Sequence, residues 1–199
     1  MEPTPAPPGQ LQIALIRHGR PLVDRTGLFN HRRATDFINQ YDLADVEAFT
    51  HRPDGFNPDG NPKVFCSPLN RSKMTARLLF GPDFEILEDV QFREFERKII
   101  TIPALRLPIG FWLFVSRILW LLGFNSGGIE SFAKARQRAR TAAAFLADQA
   151  ETHHNVVLVA HGFLNAFLDR ELQRQGWQRI RQGGRGYLGV SLFTKVPKA

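Results

Sequence analysis

The sequence predicts an α/β fold: a three-layer sandwich with a largely parallel central sheet and helices on both faces. Two observations carry that expectation. Short apolar runs alternate along the chain with longer segments of helical period, and two of those runs end in a His-Gly pair, at His18-Gly19 and His161-Gly162. The first run, residues 11–16 (LQIALI), suits a buried strand and is closed by Arg17-His18-Gly19. Lys63–Cys66 reads as a second strand. Ser67-Pro68 after it reads as the cap and first turn of a helix over 70–79 that stops near Gly81-Pro82. A shorter strand is expected at 84–87. The clearest helical period runs over 129–149, where Ile129, Phe132, Ala135, Ala139, Ala142, Leu146 and Ala150 share one face. Lys134, Arg136, Arg138 and Arg140 then belong to a solvated face. Asn155–Ala160 (NVVLVA) is the strongest strand because of its β-branched content, and it feeds a helix over about 163–173. A last strand at 189–194 closes the sheet.

The composition sets bounds on this scheme. The chain has 199 residues, 43% of them hydrophobic, which excludes wholesale disorder and suits one domain over 11–199 behind a flexible, Pro-rich tail at 1–10. The single cysteine, Cys66, rules out an internal disulfide or a multi-Cys metal site and reads as a small core residue. No signal peptide is legible, so the expected location is the cytoplasm. A net charge of +7 favours anionic partners without saying which. The basic stretch 170–185 contains Trp177 but no recognised motif, so it reads as a solvated helix end and loop, and no nucleic-acid partner is expected. His153-His154 reads as an exposed turn, and neither His31 nor His51 has an identifiable partner.

Residues 107–124 (LPIGFWLFVSRILWLLGF) contain one charge, Arg117, and just reach the length of a membrane span. Pro108 and Gly110 open the stretch, and Arg117 at its middle costs about 2.5–3.5 kcal/mol in a bilayer. A crossing would also put Glu94 and His161 on opposite sides. The expectation is therefore a buried helix or apolar lid within an insertion at about 97–128, with shallow membrane contact as the alternative and no span.

In an open α/β sheet, ligands bind beyond the carboxyl ends of the strands. Two parallel strands ending in His18 and His161 deliver both imidazoles to that edge, and the glycine after each lets backbone approach a ligand. Arg17 lies beside the first, and Arg71 belongs to the helix after Lys63–Cys66. Two guanidiniums and two imidazoles make a cationic cup for a group with several anionic oxygens, and phosphoryl fits best. An imidazole in line with the phosphorus can form a covalent phosphohistidine, and the cup steadies the transition-state charge. Glu94 is the leading candidate to protonate the leaving oxygen, Glu96 is its rival, and Glu85, Glu88 and Asp89 are further choices.

This pattern resembles the histidine phosphatase superfamily, the phosphoglycerate-mutase-like group, over about residues 11–194. The matching residues are Arg17-His18-Gly19, Ser67-Pro68-Leu69-Asn70-Arg71 leading into Thr75-Ala76, Arg93-Glu94, Gly128-Ile129-Glu130-Ser131, and Ala160-His161-Gly162. The resemblance implies His18 as nucleophile, Glu94 as proton donor, and Arg17, Arg71 and His161 as phosphate ligands. It implies no metal and no cofactor, and a small phosphorylated substrate.

The sequence departs from the family pattern in two places. Where many members have Asn, six residues after the nucleophile, this chain has Asp24; a carboxylate there repels phosphate unless it points away, so Asn30 is taken instead as a possible substrate contact. After Glu94 the usual Gly-rich continuation is replaced by Arg97-Lys98-Ile99-Ile100 and the apolar stretch. A mutase needs extra basic residues around its lid for a second anionic substrate, whereas this insertion is rich in Phe, Trp, Leu and Ile. Phosphomonoester hydrolysis is accordingly the leading expectation. The alternatives are a phosphoglycerate-mutase-type phosphotransferase and a non-catalytic module that binds phosphate or a membrane.

Overall fold

The computed structural model describes residues 10–50, 53, 62–82, 84–124, 126–184 and 186–196. His51 and the expected tail, apart from Gln10, fall outside them. Strands β1 (Leu11–Arg17), β2 (Lys63–Cys66), β3 (Ile86–Glu88), β4 (Asn155–Ala160), β5 (Gln178–Arg181) and β6 (Val190–Lys195) form one sheet. Its order is β3-β2-β4-β1-β6-β5. The β3-β2-β4-β1 part is parallel, β6 runs antiparallel to β1, and β5 antiparallel to β6. The sheet is thus mixed and mostly parallel, as expected.

The near-continuous apolar strands follow from burial on both faces. On one face, Leu11, Ile13, Leu15, Val156, Leu158 and Ala160 pack with the alanines and Leu146 of α4 (Phe132–His153) and with Leu164 and Leu168 of α5 (Gly162–Arg174). On the other, Ala14, Ile16, Val64, Val157 and Val159 pack with Ala76 and Leu79 of α2 (Asn70–Phe80). Full burial of such an aliphatic side chain contributes about 1.5–3 kcal/mol. A satellite cluster joins Ala34 and Phe37 of α1 (His31–Leu43) to Ile109 and Trp112 of α3 (Ile109–Leu121).

The structure corrects several sequence expectations. Helix α1 and strand β5 were not anticipated, and β5 lies inside the stretch read as helix end and loop. Helix α4 starts at Phe132 instead of 129, because the Ser131 side chain caps it by accepting the Lys134 N–H. It runs on to His153 and stops where His154 turns to φ 61. Ser67 caps nothing: α2 begins at Asn70 without a side-chain cap, and Ser67 faces His161 instead. The apolar stretch forms the single helix α3, and no helix among the described residues is long and apolar enough to cross a membrane.

Candidate active site

The register between β1 and β4 creates the site. Arg17 lies opposite Ala160, and the His18 N–H donates to the Ala160 carbonyl at 2.9 Å, so both strands release a histidine at the same sheet edge. The two imidazole centroids are 5.1 Å apart. Both rings are buried, at 2% exposure for His18 and 0% for His161.

The tautomer of His18 follows from its partner. His18 Nδ1 lies 2.7 Å from the Gly19 carbonyl, which can only accept, so Nδ1 carries the proton and Nε2 keeps its lone pair. Burial, then Arg71 and Arg17, push this imidazole down to about 3, with the Gly19 carbonyl opposing. It is therefore neutral at ordinary pH. His161 is held well below its usual value by burial first and then by Arg71, His18, Arg17 and Arg138. The Ser67 hydroxyl accepts the Leu69 N–H at 3.3 Å and lies 2.8 Å from His161 Nε2, with the Ser72 hydroxyl 3.4 Å from the same nitrogen. Nδ1 of His161 is buried with no hydrogen-bond partner among the described residues.

The arginines are held by aromatics that sequence reading passed over. Arg17 stacks on Tyr187, 4.4 Å from its ring centre, and Arg71 stacks on Tyr41 at 4.6 Å. The same rings flank His18, with centroids 5.7 Å and 6.5 Å from its own. Burial first, and then the neighbouring Tyr187, push Tyr41 up to about 12, so it stays protonated. Gly162 lines the cavity and also makes room for Arg17: a Cβ there would come within 3.2 Å of Arg17 Nε.

Glu94 lies at the start of α5. Its Oε1 accepts the Phe95 and Leu164 N–H groups at 3.0 and 3.1 Å, and its Oε2 accepts the Phe163 N–H at 3.2 Å. The positive end of that helix thus seats the carboxylate one turn from His161. Glu96 has a different task. Its Oε2 accepts the Glu130 N–H at 2.7 Å and its Oε1 pairs with Arg93 at 3.0 Å, which ties the Glu94 loop to the entry of α4. Arg138, expected on a solvated face, is folded inward: it makes a bidentate pair with Glu130 and donates to the Gln91 and Arg93 carbonyls, both at 2.8 Å. Arg117 is likewise buried and donates to the Phe95 and Glu96 carbonyls at 2.9 and 3.2 Å. Its burial and nearby Arg97 lower it to about 10.

His18, Arg17, Arg71 and Glu94 line one cavity of about 840 Å³, and His161 touches His18 at its base. Asn30 does not join them. It caps α1, its Oδ1 accepting the Arg33 N–H at 2.9 Å, and is not among the residues that line the cavity. Asp24 also stays out of the cavity. Its Oδ1 accepts the Thr26 N–H and hydroxyl at 2.8 and 2.6 Å, and that turn lowers its pKa. Cys66 is buried, and burial pushes its thiol up to about 12, as befits a core residue. Among the described residues no group of three or more His, Cys, Asp or Glu side chains is placed to hold a metal ion.

A sheet edge with two facing imidazoles between two guanidiniums is the arrangement of the histidine phosphatase class, and this chain belongs to the histidine phosphatase superfamily (branch 1), whose family model matches residues 13–195. Solved structures of the same fold include a mycobacterial glucosyl-3-phosphoglycerate phosphatase, at 18% identity and a TM-score of 0.55 over 93% of this chain and 90% of that one. Another is the Entamoeba histolytica phosphoserine phosphatase in complex with phosphoserine, at 17% identity and a TM-score of 0.50 over 94% and 95%. A third comes from a Mycobacterium tuberculosis open reading frame, at 16% identity and a TM-score of 0.53 over 94% and 96%. No curated protein matches the sequence.

Proposed function

We propose that this chain is a phosphomonoester hydrolase that works through a phosphohistidine on His18. The observation that carries the reading is the hydrogen bond from His18 Nδ1 to the Gly19 carbonyl, which leaves Nε2 as a neutral nucleophile between two arginines. In the first step the Nε2 lone pair attacks phosphorus, the ester P–O bond breaks, and Glu94 gives its proton to the departing oxygen. In the second, water attacks phosphorus, Glu94 takes the water's proton, and the P–N bond breaks to release phosphate. Arg17, Arg71 and the Nδ1–H of His161 meet the charge on the non-bridging oxygens, so the reaction needs no metal.

Substrates are small phosphorylated molecules. A phosphoryl group fills only a small part of the cavity, and the remaining wall combines apolar Phe37, Leu113 and Phe163 with the guanidiniums of Arg25, Arg97 and Arg170. Such a wall accepts a leaving group with an apolar part. The decisive experiment is rapid quenching with a radiolabelled monoester. An acid-labile, base-stable phosphoprotein is expected to accumulate in Glu94→Gln and to be absent in His18→Ala, and turnover of the unaltered chain is expected to survive EDTA. A labelled His18→Ala protein, or no phosphate release from any monoester panel, would overturn the reading.

A further inference from the structure

Helix α3 turns two different faces outward and inward. Ile109, Trp112, Ser116, Arg117 and Trp120 are buried on one side. Opposite them Phe111, Phe114, Ile118 and Leu122 form a stripe at helical spacing, exposed by 48%, 65%, 40% and 64%, and Phe124 just beyond the helix is 80% exposed. The bridge between Phe29 and Leu107 sets exposed Leu28 against the entry to α3. A contiguous run of bulky apolar groups is not needed to fold this helix, whose other face already fills the core, and such a patch marks a contact surface.

The charges around the stripe say what it contacts. Residues 97–129 hold four cations and no carboxylate. Arg106 is exposed just before the helix, and Lys98 is exposed near its other end, where its Nζ donates to the Gly127 carbonyl at 2.6 Å. The nearest carboxylates in sequence, Glu96 and Glu130, are spent on Arg93 and Arg138. A second copy docked antiparallel on this face would bring Arg106 of each beside Lys98 of the other, like charge against like charge. An anionic lipid surface takes both features at once: the headgroups meet the flanking cations, and the aromatic and aliphatic stripe enters the boundary of the acyl region.

We infer that the outer face of α3 seats this protein on an anionic lipid bilayer, lying along the surface and not crossing it. The inference stands on the helix alone and survives any outcome for the phosphatase reading. The test is flotation of the full chain with vesicles of phosphatidylcholine, with and without phosphatidylserine, while the same preparations are assayed on a soluble aryl phosphate. Binding to the phosphatidylserine vesicles is expected, with little to neutral ones, weakening as salt rises. F111S/F114S/I118S and, separately, K98E/R106E are each expected to cut vesicle binding by about tenfold or more and to keep aryl phosphate turnover and the helical circular dichroism signal. Absence of binding, equal binding by the variants, or a dimer of the unaltered chain that the serine variant splits into monomers would overturn the inference.

Discussion

Arg71 Nη1 donates at 3.0 Å to both the Asp42 carboxylate and the Tyr41 carbonyl. One edge of the guanidinium fork is therefore anchored to the end of α1, and its buried Nε has no partner among the described residues. The open edge is the one a phosphoryl oxygen can take. Asp42 thus orients the Arg71 guanidinium and adds a negative charge to the same cavity. Asp42→Asn keeps an acceptor and removes that charge, so KM for an aryl phosphate is expected to fall by about two- to fivefold with kcat nearly unchanged, the scale of one partly screened charge pair. Asp42→Ala releases the fork and is expected to raise KM. A raised KM in the Asn variant would show that the charge itself, and not the acceptor, holds Arg71.

Two buried neutral imidazoles make folding depend on acid. Unfolded, each titrates near 6.5, whereas burial and the neighbouring guanidiniums hold His18 at about 3 and His161 well below its usual value. The unfolded chain therefore takes up protons first as pH falls. Stability is full above about pH 6.5 and drains away below it. Urea unfolding is expected to lose about 2 kcal/mol between pH 7 and pH 5 through His18 alone, with His161 acting in the same sense. His18→Asn should flatten the dependence, and an unchanged slope in that variant would assign the acid sensitivity elsewhere. His18, the proposed nucleophile, stays neutral, so no loss of kcat/KM with a midpoint near 6.5 is expected from it.

The two carboxylates that sequence reading left as rivals separate by their partners. Glu94→Gln is expected to slow an alkyl phosphate by about 10²–10⁴-fold and an aryl phosphate, whose leaving group needs little help, by less than about tenfold. Glu96→Gln loosens the loop that joins Arg93 to Glu130 and is expected to cost about 1 kcal/mol of stability. Its effect on the two substrates should be equal. If the Glu96 variant discriminated between leaving groups and the Glu94 variant did not, the acid would be Glu96.

Strand-end histidines were legible because they depend on local pattern: an apolar β-branched run, then His-Gly, in a parallel topology that leaves few alternatives. Helix α1 was not, since it buries only Ala34 and Phe37 and so has little apolar period; its start was written in Asn30, whose capping role competes with the reading as a ligand. Strand β5 is exposed at all four residues and is held by its ladder to β6, a pairing that no local pattern announces. Tyr41 and Tyr187 reach His18 from α1 and from the loop before β6, a convergence set by tertiary packing. The helical wheel placed Arg138 away from the apolar face of α4 but could not say that the loop carrying Glu94 lands on it.

That landing ties Arg138 to the loop that carries Glu94. Its guanidinium closes a bidentate pair with Glu130 and holds the Gln91 and Arg93 carbonyls, the last of these one residue before Glu94. Both side chains of the pair are mostly buried, at 18% and 16% exposure. Arg138→Met keeps the packing on Phe95 and strands the Glu130 carboxylate, so a loss of about 2–4 kcal/mol is expected in urea unfolding. Arg138→Lys cannot span both partners as a fork and should recover only part of it. If Arg138 also positions the acid, the Lys variant, assayed well below its unfolding midpoint, should slow an alkyl phosphate more than an aryl phosphate at unchanged KM. Equal slowing of both substrates would confine Arg138 to holding the fold.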